Sequence, residues 1–396
     1  MAAPTPEVAP LAQAARRRAL TRLVELARRE KVQVVLLAGD VFHHPRPSLG
    51  AWLALQEALA AWTEAGARVF IAPGNHDPYT PESIWATWRP PAGVHVFTPR
   101  AEGVALAELG LWVAGAAHSG PEVTQDLAPT LPAPPPGLTG LALLHCDLPA
   151  SRTSDVHLPY APTRLENLLS APFAYWALGH WHLPQLLHPA QPTVVMAGTP
   201  QGAHLDEDGP RGAWLAELDH GSVRARFLPL APLVFFDLTL EDLAGLADPA
   251  SLAERVRRQM QSRPCGTDYA ACLRLRLQGP SPLWETLTGP EAEEAARALR
   301  DHLELAGLVL QTDGLTPPVD AQALTGQPHV LGRMLELIQQ AQDSPQLLAE
   351  LDQALEGKLH PLLEHLPPQE RLDLLRQLLP QVRALALRHL WREESP

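Results

Sequence analysis

Four short apolar runs in this chain each lead into a residue that can bind a metal ion or carry a proton, and no other feature restricts its fold as strongly. Residues 32–38 (VQVVLLA) lead to Gly39-Asp40-Val41-Phe42-His43-His44, and residues 67–72 (ARVFIA) lead to Pro73-Gly74-Asn75-His76-Asp77. Residues 141–146 (LALLHC) carry His145, and residues 174–179 (AYWALG) lead to His180-Trp181-His182. Runs of this length, rich in β-formers, read as buried strands. In open α/β sheets, ligands bind at the carboxyl ends of such strands. Helical segments alternate with the first two runs, which is the rhythm of an α/β layer.

Taken singly, each loop has an ordinary explanation: Gly, Asn and Asp form turns, and an exposed histidine is a common surface residue. Together they place Asp40, Asn75 with His76, His145, and His180 with His182 at four strand ends. Asn75 offers a neutral oxygen ligand, and His76 a nitrogen that binds metal or carries a proton. Asp77 offers a carboxylate able to orient the histidine beside it. A His-x-His pair leaving a strand reaches neighbouring positions only if the backbone twists locally. Ordered recurrence of nitrogen and oxygen donors after apolar strands points to a metal site.

The order Gly-Asp, Gly-Asn-His-Asp, His, Gly-His-x-His resembles the calcineurin-like metallophosphoesterases, and within them the SbcD-type, YhaO-like DNA-repair exonucleases. The subgroup likeness rests on residues 39–48 (GDVFHHPRPS), 175–184 (YWALGHWHLP), 198–202 (GTPQG) and 209–212 (GPRG). It covers residues 12–230 well and the remainder loosely. The resemblance implies an α/β (α+β) sandwich of four layers, a small α/β capping domain and a helical C-terminal region. It also implies two divalent metal ions, usually Mn2+. Carried over by motif, Asp40 would bridge the metals, Asn75, His145 and His180 would complete one of them, and His182 would serve the other. His76 would be the general acid or a stabiliser of the charged transition state, and His43 would touch the substrate phosphate. The partners implied are DNA, an SbcC-like ATPase subunit and a second copy of the chain.

The sequence departs from the family in one respect. The family opens with a strand ending in Asp-x-His, and nothing before Asp40 matches it. The sole Asp-x-His is Asp155-Val156-His157, which follows polar residues 151–154 (SRTS) and precedes Leu158-Pro159, so it lacks a buried strand to aim its side chains. The expectation is that roughly 10 to 20 further in-frame residues lie upstream, enough for one strand and its loop.

With 396 residues, the chain is too long for one ordinary core. We expect a metallophosphoesterase domain over residues 1–230, a capping domain over 231–318 and a helical partner-binding region over 319–396. The formal charge of -13 is awkward for a nucleic-acid binder, because Lys and Arg contacts to phosphate normally supply much of the affinity. Carboxylates gathered at metals or a basic partner can still leave a locally positive cleft. Three cysteines without a C-x-x-C pair fit a reducing cytoplasm. No apolar run is long enough to cross a bilayer.

A helix is expected over residues 11–30, with Leu20, Leu23, Val24 and Ala27 at helical spacing and Arg16, Arg17, Arg18 and Arg22 on a solvated face. Ser48 should cap a second helix that ends at Gly66. Beyond residue 230 the pattern reads strand, helix, strand, helix, strand, and after Val330 it is helical. Its apolar stripes there, Leu331, Leu335, Ile338 and later Leu372, Leu375, Leu379, suit either core packing or a partner. Three functions stay open: a metal-dependent nuclease working with an ATPase, a small-molecule phosphodiesterase or phosphatase, and a catalytically impaired scaffold.

Overall fold

The computed structural model of the protein describes residues 8–149, 160–219, 221–319, 324–325, 329–355 and 366–394; Asp155 and His157 lie outside them. The chain divides into two compact units, Met1–Phe235 with Arg263–Ala270, and Phe236–Ser262 with Ala271–Pro396.

The first unit opens with helix α1 (Val8–Arg29), whose Ala12, Ala15, Ala19 and Leu26 are buried. Leu20, Leu23 and Val24 of α1 pack with Ala27 against strands β1 (Val34–Leu37) and β2 (Arg68–Ile71), as their spacing predicts. Arg22 is not on a solvated face, because it donates to the carbonyl of Leu230 at 3.1 Å and pairs with Asp268. Helix α2 (Leu49–Glu64) starts where Ser48 accepts the Ala51 N–H at 3.3 Å, satisfying one of the donors a helix start leaves unpaired. Its Leu55, Leu59 and Trp62 cover Val69 and Ile71. After the short helix α3 (Ile84–Thr87) comes β3 (Val94–Val96), giving a parallel sheet of order β1-β2-β3 with β1 at its edge.

A six-stranded sheet follows. Its strands are β4 (Glu102–Leu106), β5 (Leu111–Gly115), β6 (Thr139–His145), β7 (Tyr175–Gly179), β8 (Gln185–His188) and β9 (Thr193–Met196), with helix α4 (Leu165–Ser170) between β6 and β7. Their order is β4-β5-β6-β7-β9-β8, and the four central strands are parallel. Strands β6 and β7 are buried almost throughout, as continuous apolar runs require. The hairpin β10 (Gly212–Asp219) and β11 (Ser222–Pro229) completes this unit's strands.

Three apolar clusters separate four layers. Ala58, Leu59, Trp62 and Val69 lie between the first helices and the three-stranded sheet. Phe70, Ala72, Leu141, Leu143, Tyr175 and Ala177 lie between the two sheets. Leu144, Leu168, Trp176 and Leu178 lie between the six-stranded sheet and α4 with its loops. The mixed α/β sandwich is therefore the one expected, and both sheets end at the edge that carries the donor residues.

The second unit builds a three-stranded sheet of order β12-β13-β14 from β12 (Leu233–Leu240), β13 (Ala270–Pro280) and β14 (Gly307–Thr316). Helix α5 (Pro249–Gln261) follows β12, and α6 (Trp284–Thr288) and α7 (Ala292–His302) lead to β14. Asp248 caps α5 by accepting the Ser251 N–H at 2.9 Å, with Pro249 in the first turn where its missing N–H costs nothing. Helices α8 (Val330–Asp343), α9 (Pro345–Ala354) and α10 (Pro368–Glu394) end the chain. Leu331 and Leu335 pack on Ala386 and Leu387, while Ile338 packs with Leu348, Leu375 and Leu379. The stripes that suited a partner are thus buried among these helices themselves. Among the described residues, no helix is long and apolar enough to cross a membrane.

Candidate metal centre

The carboxyl ends of β1, β2, β6 and β7 bring four donors together. His145 Nε2 lies 2.9 Å from Asn75 Oδ1 and 3.3 Å from Asp40 Oδ2, and His180 Nδ1 lies 3.3 Å from the same Asn75 oxygen. Two of these residues hold unusual backbone angles, Asp40 at φ 49° and His180 at φ 113°. Such conformations cost about 1–3 kcal/mol each and cluster at functional sites. The one at His180 supplies the local twist that a His-x-His pair needs. Close approach of the loops also demands Gly74, where a Cβ would sit 2.3 Å from Asp40 Oδ1 and 2.7 Å from Asp40 N.

Supporting contacts fix the donors. The carbonyl of Ala38 accepts from His145 Nδ1 at 2.8 Å, so a neutral His145 presents a bare Nε2 to the cluster. The His76 N–H donates to Asp40 Oδ1 at 2.9 Å. Burial would raise the pKa of Asp40, but the charge and hydrogen bond of His145, with the His76 N–H, outweigh it and hold the carboxyl well below the usual range. Burial would lower the pKa of His145, and Asp40 beside it raises it instead. His180 is pushed down to about 4 by burial and by His145, which keeps it neutral and available as a ligand.

Above the donors stand exposed imidazoles. The rings of His43 and His76 stack with centroids 4.7 Å apart and planes 18° from parallel. His43 owes its place to Phe42, which is buried against Trp85 with centroids 5.4 Å apart. Burial is the main cause that lowers the pKa of His76, partly countered by Asp40. His182 stands apart, with its side chain 48% exposed and its Nδ1 bonded to Glu207.

Asp77 does not act as expected. It is fully buried, and its carboxylate accepts backbone N–H groups from Gly74 at 2.8 Å, Asp40 at 3.1 Å and Phe42 at 3.2 Å. It therefore ties the first two donor loops together and does not orient the adjacent His76. Asp77 points inward because three backbone N–H groups meet its carboxylate there, while His76 points out. Burial and the negative Asp40 push its pKa up to about 7 against those hydrogen bonds. In Asp77→Asn the amide nitrogen cannot accept, so at least one buried N–H is left unpaired. We expect a loss of about 1–3 kcal/mol, read from denaturant midpoints at an unchanged m-value.

Residues 13–184, which hold all these donors and His182, match the calcineurin-like phosphoesterase family. They form a calcineurin-like phosphoesterase domain. The chain is also 29% identical over 267 residues to YhaO, a metallophosphoesterase of Bacillus subtilis (strain 168). That match takes in 66% of this chain and 64% of YhaO, so the chain spans just under two thirds of that relative's length.

Calcineurin-like metallophosphoesterases use divalent metal ions, and the donor chemistry fits one such ion. With Nδ1–H given to Ala38, His145 Nε2 meets Asn75 Oδ1 and Asp40 Oδ2. Once that nitrogen gives up its proton, one imidazole nitrogen and two oxygens converge as a donor set that suits a divalent cation. Among the described residues no three His, Cys, Asp or Glu side chains by themselves close on one point. The amide oxygen of Asn75 joins His145 to His180, and Asp40 meets them through His145 Nε2. For the second ion of the expected pair, the described residues offer Asp40 and His182.

Three supporting residues of the first unit are not legible in the sequence. Glu207 bonds His182. His118 is fully buried, and its Nε2 donates to the His145 carbonyl at 2.7 Å; burial, then His145, pushes its pKa down to about 4, so it is neutral. Asp147 accepts from the indole of Trp181 at 3.1 Å, anchoring the residue between His180 and His182. None carries a local signature, since each partner lies far along the chain.

Proposed function

We propose that this protein is a metal-dependent phosphodiester hydrolase that cleaves DNA, working with an SbcC-like ATPase. What supports the reaction class is the phosphoesterase domain and its Asp40–Asn75–His145–His180 cluster. A divalent ion held there would polarise a phosphoryl oxygen and offset its developing charge. His76 stands over the cluster as proton donor or as stabiliser of that charge, held by its backbone N–H to Asp40. His43, stacked on His76, meets the phosphate from the outer side. Imidazole and carboxylate donors together suit manganese, and Mn2+ is the ion we propose.

The observation that carries the substrate class is the exposure of the site. His43, His44, Arg46, His76 and His182 are all exposed, and the donors are half-buried at Asp40, Asn75 and His180 and buried at His145. Small-molecule sites enclose most of their ligand, whereas a polymer must be met on an open surface. The likeness to YhaO also runs for 267 residues, longer than the phosphoesterase match, as a substrate needing a second unit requires. The ATPase is proposed to engage the helical region after Val330, where Leu337 and Leu385 stay 42% and 47% exposed.

The test is cleavage by the full-length protein with manganese, on linear duplex DNA and on bis-p-nitrophenyl phosphate, with and without the ATPase. Manganese-dependent DNA cleavage is the expected result. Cleavage of the small ester alone, even with the ATPase present, would overturn the DNA reading in favour of a small-molecule phosphodiesterase.

A further inference from the structure

His182 poses a problem that its own strand does not solve. Trp181 before it is buried and held by Asp147, but the His182 side chain is half exposed on the solvent side of the site. An exposed imidazole needs no protein partner, since water satisfies both nitrogens. Yet the loop between β9 and β10 delivers a carboxylate to it whose side chain is only 7% exposed. Burying a carboxylate is costly unless its oxygens are hydrogen-bonded, and Glu207 meets that condition with one oxygen on His182 Nδ1 and the other on the Ala203 N–H.

The loop is built to hold this contact. Thr199 N–H donates to the His182 carbonyl at 3.0 Å, so the two segments are joined at the backbone as well. Gln201 pairs with the backbone of Leu233 in both directions, donating at 2.7 Å and accepting at 3.2 Å. Glu207 N–H donates to the His204 carbonyl at 3.0 Å, and buried Arg211 donates to the Asp208 carbonyl at 3.0 Å. A rigid loop thus places an ionised acceptor at one nitrogen of one exposed ring.

We propose that Glu207 is a positioning residue for His182: it accepts the Nδ1–H, fixes that tautomer and ring orientation, and leaves Nε2 as the nitrogen with a free lone pair. A carboxylate behind an imidazole does the same for metal-ligating histidines in general, where losing it costs about 10- to 100-fold in metal affinity or activity. The assignment rests on the proposed role of His182 at the site.

The experiment is 15N NMR of the imidazole nitrogens in the full-length chain at pH 8, without substrate, with His182 assigned by difference from His182→Gln. We expect His182 in the wild type to be protonated at Nδ1 and bare at Nε2. Glu207→Ala should shift it toward the Nε2–H form and weaken Mn2+ binding about 10- to 100-fold in titration. Glu207→Gln, whose amide oxygen still accepts, should restore much of the Nδ1–H form. A wild-type His182 protonated at Nε2, or a spectrum unchanged in Glu207→Ala, would overturn the proposal. Should Glu207→Ala not fold, the wild-type tautomer and Glu207→Gln decide. Because the tautomer is read without turnover, a chain that cleaves no DNA yet keeps His182 as Nδ1–H refutes the proposed function and not this assignment.

Discussion

His76→Ala is expected to keep its metal and lose most of its turnover, whereas Asp40→Ala is expected to lose the metal itself. The difference follows from where the two side chains stand. Asp40 Oδ2 lies 3.3 Å from His145 Nε2 within the donor cluster, so its removal takes out the only carboxylate among the four donors and leaves two imidazoles and an amide. His76 is tied to that cluster through its backbone N–H, a bond that alanine keeps, while its ring faces outward against His43. Removing a proton donor or charge stabiliser costs about 10²- to 10⁴-fold in rate without dismantling what lies beneath. Metal content by mass spectrometry, measured beside hydrolysis of bis-p-nitrophenyl phosphate, separates the two roles. Equal metal loss in both variants would refute this division.

The strands that carry the site were legible because burial leaves a strong local trace. Residues 141–146 and 174–179 are apolar on both faces, and strands β6 and β7 are buried on both faces. The donors were legible for a related reason: polar residues directly after such runs emerge at one sheet edge. What the pattern could not show was direction. Asp77 and His76 are neighbours of similar polarity, yet one is fully buried and the other exposed, because the carboxylate finds the N–H groups of Gly74, Asp40 and Phe42 in the interior. Partnerships across the chain were equally hidden. His118 to His145, Trp181 to Asp147 and His182 to Glu207 each join residues 25 or more positions apart, with no periodicity between them. The C-terminal stripes show the opposite limit, since Leu331 and Leu335 have the same spacing whether they face Ala386 and Leu387 or another protein.

Gly179→Ala is expected to damage both fold and site, although the substitution adds one methyl group at the end of a strand. A Cβ on Gly179 would lie 1.7 Å from the carbonyl oxygen of Ala38 and 2.9 Å from its carbon. These are backbone atoms at the end of β1, in the opposite sheet, so no side-chain rotation relieves the clash. The two sheets must part at the one edge where they close on the site. Overpacking a core typically costs about 1–3 kcal/mol, and a backbone collision of this depth belongs at or above the top of that range. The same Ala38 oxygen accepts from His145 Nδ1 at 2.8 Å, so its displacement frees the ring that presents Nε2 to Asp40 and Asn75. Thermal melting should therefore show a lowered transition, and manganese binding measured well below that transition should be weakened as well. Gly110→Ala is the control, since no atom lies within 4 Å of a Cβ there and only the strain of its φ of 65° applies. It should lower the melting temperature by a smaller amount and leave metal binding intact. Wild-type metal affinity in Gly179→Ala would show that the sheets yield without moving His145, and the coupling of fold to site argued from that carbonyl would be wrong.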